Sequence, residues 1–367
     1  MTRVLHVVFS LDAGGLENGV INVANRLNGE YEIHVACLDQ PGRMAARFAQ
    51  QDRLHRLERG EGFSIRAVAR LARCIRATRP HVLHTHNLGP LIYGALASGL
   101  GRSIPILHGE HGQLTETDLE PKRLRQRRCF YRCARVIHTV SQGQAGELAA
   151  CGLGAAKVKP VINGVDTSRF CPRDDLHCRA RLGIPSEDLA IGMVGRFISS
   201  KRHETLIQAF EQVRSRGMPL HLLLVGAGGS EEECVRRRCQ SSREAGFIHL
   251  FGFSEDPEHV YPALDLVVLP SVHEGLSNVV LEAMACGVPV LSHQACGSAE
   301  VIQSGVDGVV ADLGSPELLA QELEQLVADR PRLRQFGQRA REKVMQSFSL
   351  ERMSREYAAL YDSLRRD

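Results

Sequence analysis

The chain has 367 residues, of which 43% are hydrophobic and 24% are charged, and its formal net charge is +3 at pH 7. This length exceeds the roughly 100 to 200 residues of one domain, so we expect two domains, each large enough to bury a core. The composition excludes a largely disordered chain. The small net charge is evidence against a nucleic-acid-binding protein that depends on a strong overall field.

Cysteine usage and apolar runs bear on the compartment. The eleven cysteines are odd in number, scattered and free of any C-x-x-C pair, so we expect neither a disulfide framework nor a zinc site. The first residues form a short apolar run that leads into a polar turn, unlike a signal peptide. No run approaches the roughly 20 apolar residues of a membrane-spanning helix. We therefore expect a cytoplasmic protein, at most attached peripherally to the inner face of the plasma membrane.

Predicted strands alternate with helical segments along the first half of the chain. The strands are predicted at residues 3–9, 31–38, 81–85, 103–108, 135–140 and 157–162. In the first helical segment, apolar residues recur at steps of three and four: Leu16, Val20, Val23, Ala24 and Leu27. This alternation predicts a parallel sheet with helices on both faces.

The pattern restarts after the turn signal Asn163-Gly164, with strands predicted at 189–194, 220–225, 247–251, 265–269, 288–292 and 308–311. We predict an α/β protein with two Rossmann-like domains, residues 1–170 and 171–350, and a C-terminal helix over 351–367 that packs across both. The crevice between two such domains is the expected ligand site, because strand ends and helix N-termini can face it from both sides.

Two glycine-rich turns follow predicted strands. Gly14 and Gly15 open the first helix, where backbone amides can approach an anion, and a plain strand-to-helix turn explains them equally well. The turn at 225–230, VGAGGS, lacks the third glycine of a dinucleotide-binding fingerprint at the required spacing. A nicotinamide-dependent dehydrogenase is therefore disfavoured.

A loop with two cations follows the first strand of the second half. Arg196 can grip a diphosphate as a planar fork and Lys201 can contact it as a point charge. Solvated loop charges are the alternative, which these two residues alone favour.

The segment 273–290, HEGLSNVVLEAMACGVPV, places two carboxylates around a predicted helix start. Glu274 would lie in the loop and Glu282 one turn inside the helix, with Ser277 as its cap. Carboxylates accept hydrogen bonds from hydroxyls and helix-start amides attract anions, which suits a nucleotide sugar. In the alternative, Glu274 caps the helix and Glu282 is a surface residue.

The ordered motifs resemble the retaining glycosyltransferases of family 4. They are GG (14–15), HGEHG (108–112), NGVD (163–166), GR-x4-K (195–201), LPS (269–271), the segment 273–290 and GSAEVI (297–302). The resemblance covers nearly the whole chain and implies the GT-B fold of two facing Rossmann-like domains. The DAGGLENG opening and the GEHG turn are further similar to bacterial exopolysaccharide sugar transferases.

The resemblance implies donor-binding roles in the second domain. Arg196 and Lys201 would hold the donor diphosphate, Glu282 the ribose hydroxyls and Glu274 the transferred sugar. Backbone amides of three consecutive residues would contact phosphate or sugar, and backbone near Phe253 would contact the base. The three are Gly275, Leu276 and Ser277.

In the first domain, the resemblance implies that Gly14 and Gly15 approach the donor. It also places His111 near the reacting centre. His108 is the rival for that position, and a purely structural loop histidine is the further alternative.

These roles imply a retaining, metal-independent transferase with a nucleotide-sugar donor, a UDP-sugar favoured over GDP-mannose. The acceptor would be a hydroxyl of a glycan or lipid-linked molecule in cell-surface or exopolysaccharide synthesis. Cations and helix amides would stabilise the departing diphosphate, so neither a metal nor a cofactor is expected, and the sequence shows neither a D-x-D pair nor a histidine cluster. A nucleotide-sugar epimerase and a non-catalytic nucleotide-sugar-binding protein are the alternatives.

Residues 122–135, KRLRQRRCFYRCAR, hold seven basic residues, no acidic residue and two aromatic ones. As a helix, this segment could lie on an anionic membrane surface and bring the enzyme to a lipid-linked acceptor. A solvated helix face is the alternative.

Overall fold

The computed structural model describes residues 1–12, 14–100, 104–173, 176–254, 256–272, 275–294 and 297–366. The chain divides into two compact units. The first unit is Met1–Asn163 together with Leu350–Asp367, and the second is Gly164–Ser349. The division thus falls after residue 163, and the last helix belongs to the first unit.

Strands and helices alternate in the first unit. Its strands are β1 (Thr2–Val8), β2 (Tyr31–Cys37), β3 (Leu54–Arg56), β4 (Val82–His86), β5 (Ile106–Glu110), β6 (Ala134–Thr139) and β7 (Val158–Pro160). Its helices are α1 (Gly15–Arg26), α2 (Ile65–Thr78), α3 (Leu88–Leu100), α4 (Glu116–Leu119), α5 (Pro121–Tyr131), α6 (Gln142–Ala150) and the C-terminal helix, named α13 (Leu350–Arg366).

The second unit repeats this architecture. Its strands are β8 (Leu189–Val194), β9 (Leu220–Val225), β10 (Ile248–Gly252), β11 (Leu266–Leu269), β12 (Val290–His293) and β13 (Val309–Ala311). Its helices are α7 (Leu176–Arg181), α8 (His203–Ser215), α9 (Glu232–Gln240), α10 (Asn278–Ala285), α11 (Pro316–Val327) and α12 (Arg330–Ser347).

Each unit is built on one parallel sheet. Within the described residues, the strand order is β3-β2-β1-β4-β5-β6-β7 in the first unit and β10-β9-β8-β11-β12-β13 in the second. The order reverses direction between β1 and β4, and again between β8 and β11. Such a reversal leaves a crevice at the carboxyl ends of the two strands, where open α/β sheets bind ligands. The predicted fold of two Rossmann-like domains is confirmed.

All twelve predicted strands are present, and β3 is the strand that the sequence did not reveal. Its three residues, Leu-His-Arg, are too few to show a period of two. The tertiary fold defines this strand instead, because it pairs in parallel with β2 at the edge of the sheet.

The C-terminal helix buries the apolar stripe that the sequence predicted. Met353, Tyr357, Leu360 and Leu364 are all buried, and they join the same core cluster as residues of α1 and β1. Tyr361, one turn after Tyr357, is also fully buried there. Helix α13 therefore covers the same face of the first sheet as α1.

Candidate active site

The two loops at the switch point of the second sheet contact each other. The loop after β8 carries Arg196 and Lys201, and the loop after β11 leads into 273–290. The backbone amide of Val272 donates a hydrogen bond of 2.8 Å to the carbonyl of Ser200. The loop after β8, residues 195–201, is named the cationic turn. It therefore lies beside the residue that precedes His273 and Glu274. These two residues lie outside the described part of the chain, and the role of Glu274 stays a prediction.

The shape of the cationic turn depends on Gly195. This residue has a φ of +153°, which strongly favours glycine. A Cβ atom on Gly195 would stand 3.3 Å from Cε of Lys201, so the lysine side chain lies across the glycine. Arg196 is exposed. The loop thus brings one exposed and one half-buried cation to the carboxyl edge of the sheet.

The glycines of the VGAGGS turn serve close packing against that loop. A Cβ atom on Gly226 would collide with the carbonyl oxygen of Gly195, and one on Gly229 would collide with the carbonyl of Phe197. The amide of Phe197 donates to the carbonyl of Gly228 at 2.8 Å. Backbone-to-backbone contact accounts for these glycines without a bound dinucleotide.

The turn at 275–277 is buried and packs against Gly297. A Cβ atom on Gly297, in the GSAEVI motif, would stand 2.9 Å from the backbone of Gly275 and Leu276. Ser277 is the N-cap residue of α10, but its side chain makes no capping hydrogen bond, so the expected capping role was wrong. Its carbonyl accepts from the amide of Val280 at 3.1 Å instead.

Glu282 lies inside α10 and is only 8% exposed, which contradicts the surface-residue alternative. The hydroxyl of Tyr261, a fully buried residue, donates to Oε2 of Glu282 at 2.7 Å. Burial and the adjacent carboxylate raise the pKa of Tyr261 well above its usual value, so the phenol keeps the proton that it donates. A neutral donor thus holds one oxygen of the carboxylate in place.

An ion pair lies close to this carboxylate. Arg169 binds Glu258 through two hydrogen bonds of 2.8 Å each, in the bidentate arrangement. Burial opposes the charge of Arg169, but the pair with Glu258 and the further charge of Glu282 together raise its pKa. The sequence did not indicate this pair.

Phe253 follows the carboxyl end of β10, directly after Gly252, which has a φ of +77°. The ring is 41% exposed. An exposed aromatic ring at a strand end is able to stack on a planar base.

In the first unit, Gly14 is the N-cap residue of α1, and Gly15 is its first residue. The carboxylate of Glu17 folds back over Gly14, where a Cβ atom would collide with it. A carboxylate near a helix N-terminus is favoured by the helix dipole. Glu17 is thus a carboxylate at the start of α1 that the sequence motifs did not indicate.

His108 and His111 lie in different environments. His108 is fully buried, with Nδ1 3.0 Å from Oγ1 of Thr85 and Nε2 3.2 Å from Oε1 of Glu110. His111 follows β5 and is partly exposed, and its Nε2 lies 2.9 Å from Nδ1 of His86. Desolvation lowers the pKa of His111 to about 4, so the ring is neutral at pH 7.

The basic segment forms α5, the turn after it and the first two residues of β6, and part of it faces inward. Arg127 is buried, where it binds Glu110 and, at 2.7 Å, Asp118. Tyr131 is buried and donates to Glu110 at 2.5 Å, and Phe130 packs against the core. The other six basic residues are exposed: Lys122, Arg123, Arg125, Arg128, Arg132 and Arg135. Among the described residues, no helix is long and apolar enough to cross a bilayer.

The fold brings together histidines that are scattered in the sequence. Strands β1, β4 and β6 contribute four, and His111 is the fifth. The strand residues are His6, His84, His86 and His138. The expectation that the chain has no histidine cluster was wrong, because the register of the sheet makes His6 a neighbour of His84, and Gly109 a neighbour of both His86 and His138.

Two known families match successive halves of the chain. Residues 13–169 match the family described as "Glycosyltransferase Family 4", and residues 176–343 match "Glycosyl transferases group 1". Together the two matches span most of both structural units. The chain is a glycosyltransferase of the GT-B type.

Several characterised proteins resemble this glycosyltransferase. It is 26% identical over 309 residues to N-acetyl-alpha-D-glucosaminyl L-malate synthase of Bacillus anthracis, covering 83% of this chain and 80% of that protein. It is 29% identical over 207 residues to the lipopolysaccharide core biosynthesis glycosyltransferase LpsE of Rhizobium meliloti, covering 56% of this chain and 58% of LpsE. The match therefore spans less than two thirds of LpsE.

The crystal structure of Anabaena Alr3699/HepE in complex with UDP and glucose has the same fold. The TM-score is 0.87 at 20% sequence identity, with 99% of this chain and 100% of the Anabaena chain covered. At this identity the comparison establishes the fold of the glycosyltransferase.

No sequence motif indicates the partners that hold the candidate residues of this glycosyltransferase. Tyr261 lies 21 residues before Glu282, in a short segment without regular spacing. The sequence signal that was present is Tyr261-Pro262, an aromatic residue followed by a proline in the short helical turn before β11. That signal indicates a turn, but it does not indicate a partner.

Proposed function

We propose that this glycosyltransferase transfers a sugar from a nucleotide-sugar donor, a UDP-sugar in the first place, to a hydroxyl of a glycan or lipid-linked acceptor. The transfer retains the anomeric configuration and needs no metal. The observation that carries the proposal is the contact between Val272 and Ser200. It fixes the cationic turn beside the motif 273–290 at a switch point of the sheet.

The cationic turn would bind the donor diphosphate. Arg196 and Lys201 lie on one loop whose backbone is hydrogen-bonded to the end of β9 and to the turn after it. The start of α10 adds backbone amides. Charge develops on the diphosphate as the sugar leaves. Fixed cations and dipoles stabilise that charge without reorganising, which is typically the largest contribution to catalysis.

The carboxylates would bind hydroxyl groups. Glu282 is held by Tyr261, and carboxylate oxygens accept hydrogen bonds from hydroxyl groups, which suits the ribose of the nucleotide. Glu274 is assigned to the transferred sugar by the motif that it shares with family 4. Phe253 supports the base assignment, since its ring is exposed at the end of β10.

In the first unit, His111 is the better candidate for contact with the donor. It is partly exposed after β5, whereas both ring nitrogens of His108 are engaged in a buried network. Gly14 and Gly15 lie after β1, at the switch point of the first sheet. We assign His111 and these glycines to the donor on that basis.

The proposed acceptor class rests on the related proteins. Those described as acting in lipopolysaccharide core biosynthesis or capsular polysaccharide biosynthesis match 56% and 62% of this chain. The UDP assignment is supported by the Anabaena protein, whose structures contain UDP, UDP with glucose, or UDP-glucose. A polyhydroxylated surface glycan or its lipid-linked precursor is therefore the acceptor to test first.

Ligand-induced thermal stabilisation tests the donor site. A ligand that binds only the folded protein raises the unfolding temperature. We expect UDP and a UDP-sugar to stabilise the protein more than GDP-mannose, with no change on addition of EDTA. Lys201→Ala should weaken UDP binding by about tenfold or more, since it removes a charge-assisted contact to phosphate.

Lys159→Ala is the matched control, because Lys159 is an exposed lysine on β7 of the first unit. Its response to UDP should equal that of the unmodified protein. Equal responses of the Lys201 and Lys159 variants would overturn the assignment of the diphosphate to the cationic turn.

A further inference from the structure

Seven buried or half-buried groups form one hydrogen-bonded chain in the first unit, named here the histidine chain. In order, its members are Tyr357, His138, His84, Tyr361, His6, His86 and His111. It runs from α13 across one face of the sheet to the loop after β5. It therefore links the C-terminal helix to the histidine proposed to contact the donor.

The links have ordinary hydrogen-bond lengths over most of the histidine chain. His84 Nε2 lies 2.8 Å from His138 Nε2, His6 Nδ1 lies 3.0 Å from His86 Nε2, and His86 Nδ1 lies 2.9 Å from His111 Nε2. The hydroxyl of Tyr361 bridges His84 and His6 at 3.0 and 3.2 Å. The link from Tyr357 to His138 is the longest, at 3.5 Å.

A chain of this kind has only two consistent arrangements of protons. A neutral imidazole donates through one nitrogen and accepts through the other, and a phenol can do both. If Tyr361 accepted from both His84 and His6, its own proton would lack an acceptor among the described residues at this fully buried position. Every member therefore donates in the same direction. In one arrangement the donors point from Tyr357 towards His111, and in the other they point the opposite way.

The buried end at α13 selects between the two arrangements. Tyr357 is 5% exposed, and among the described residues His138 is its hydrogen-bond partner. If His138 donated to Tyr357, the phenolic proton would need a second acceptor at this buried position. If Tyr357 donates, the hydroxyl is satisfied, and a buried donor without an acceptor is avoided.

The direction set by Tyr357 fixes the proton on His111. His86 then donates from Nδ1 to Nε2 of His111, which leaves the proton of His111 on Nδ1. We propose that Tyr357 and Tyr361 are positioning residues that hold His111 as a neutral imidazole with its proton on Nδ1. His111 thus offers a bound ligand a hydrogen-bond donor for a sugar hydroxyl or a phosphate oxygen, and it does not act as a base. This consequence rests on the proposed function, whereas the tautomer itself does not.

Burial keeps the members of the histidine chain neutral, as this scheme requires. Desolvation lowers the pKa of His6 to about 3, and it lowers the pKa of His84, His86 and His138 well below the usual value. Desolvation also dominates at His111, where Glu110 raises the pKa and His108 lowers it, and the pKa falls to about 4.

A bound metal ion is the rival explanation of the cluster. Nitrogen atoms of His6, His84 and His86, and of His86, His111 and His138, lie within 4.8 Å of one another. Ligands of one ion, however, point their nitrogens at a common centre. Here successive nitrogens pair two by two at hydrogen-bond distance, which favours the chain of hydrogen bonds.

Nuclear magnetic resonance of ring-¹⁵N-histidine-labelled protein tests the proposal, because long-range ¹H–¹⁵N correlations distinguish the two neutral tautomers and the imidazolium. The His111→Gln variant assigns the signal. We expect the Nδ1–H tautomer for His111 at pH 7 without any ligand. Tyr361→Phe and Tyr357→Phe should each shift the tautomer ratio of His111 by about tenfold towards Nε2–H.

Tyr93→Phe is the matched control, because Tyr93 is a buried tyrosine of the first unit whose hydroxyl accepts from the amide of Ser64, outside the histidine chain. It should leave the His111 signal unchanged. If Tyr361→Phe does not fold, the Tyr357 variant at the end of the histidine chain gives the result. An Nε2–H tautomer in the unmodified protein, equal ratios in all variants, or one equivalent of tightly bound metal in the purified protein would overturn the proposal. Since no sugar nucleotide is added, these outcomes are independent of the proposed transferase reaction.

Discussion

Single side chains at the proposed donor site are held by neighbours that contribute no chemistry of their own. Tyr261 is such a neighbour, because its hydroxyl donates to the buried carboxylate of Glu282. A buried carboxylate is costly unless hydrogen bonds replace its water. Gly195 plays a similar part for Lys201, since any larger residue would displace the lysine side chain.

Replacement of Tyr261 by phenylalanine should lower both the stability of the fold and the affinity for UDP. The change keeps the ring but removes the hydrogen bond to Glu282, so we expect a loss of about 1.5 to 3 kcal/mol in the free energy of unfolding. UDP binding should also weaken, because the carboxylate is no longer held. Chemical denaturation and UDP titration measure the two effects, with Tyr93→Phe as the control for UDP binding. Unchanged UDP affinity would show that Glu282 does not contact the nucleotide.

At the scale of single elements, helix α5 combines a buried side that contacts the core with an exposed side that is basic. Helix α5 turns Arg127, Phe130 and Tyr131 inward, where the arginine and tyrosine bind Glu110. Burial opposes ionisation of Glu110, yet the hydrogen bonds from His108 and Tyr131 and the charge of Arg127 leave its pKa below the usual value. The exposed residues of the helix are mainly basic, and none of them is aromatic. An attraction to membranes through α5 would therefore be electrostatic, without aromatic insertion.

Sedimentation with vesicles tests that attraction. Each exposed basic residue near an anionic surface contributes about 1 kcal/mol. The double variant Arg123→Glu and Arg125→Glu should thus lower binding to anionic vesicles by roughly tenfold or more. The exposed arginines of α2 supply the control, Arg73→Glu with Arg76→Glu. Binding of the unmodified protein that does not depend on anionic lipid would contradict the electrostatic membrane contact through α5.

Two features belong to the scale of the whole molecule. The switch points of the two sheets determine where the candidate residues lie, and the buried histidines make stability depend on pH. Both sheets reverse their strand order beside the loops that hold the candidate residues. In the first unit, the same sheet buries the histidine chain under α13. The folded first unit therefore contains several imidazoles that are neutral where the unfolded chain would protonate them.

Stability should fall as the pH decreases from about 6.5 to about 4. Unfolded imidazoles take up protons near pH 6.5, whereas burial lowers the pKa of His6 to about 3 and of His111 to about 4 in the folded state. The unfolded state then binds more protons, so stability rises with pH across this window. Each such histidine lowers the free energy of unfolding by about 1.4 kcal/mol for every pH unit below 6.5, down to its pKa in the folded state.

Calorimetry at several pH values measures the proton uptake on unfolding. His6→Gln should reduce that uptake by about one proton below pH 6, because the amide can replace both hydrogen bonds but does not ionise. The carboxylates with lowered pKa, such as Glu110, contribute to proton uptake on unfolding only below about pH 4.5. An unfolding temperature that is constant between pH 7 and pH 5 would contradict the neutral assignment of the buried histidines.

The sequence by itself determined the two-unit α/β architecture, twelve of the strands, helix α10 and the cationic loop. Those features depend on residues that are neighbours in the chain, through the periods of strands and helices and the turns at glycine. Only the tertiary structure decided the burial of Glu282 against Tyr261, the inward position of Arg127 and the histidine chain. Their partners are separated by up to 355 residues, as between His6 and Tyr361, and strand order and register bring them together. No local pattern encodes such pairings, because a hydrogen bond between distant residues leaves no periodic trace in the sequence.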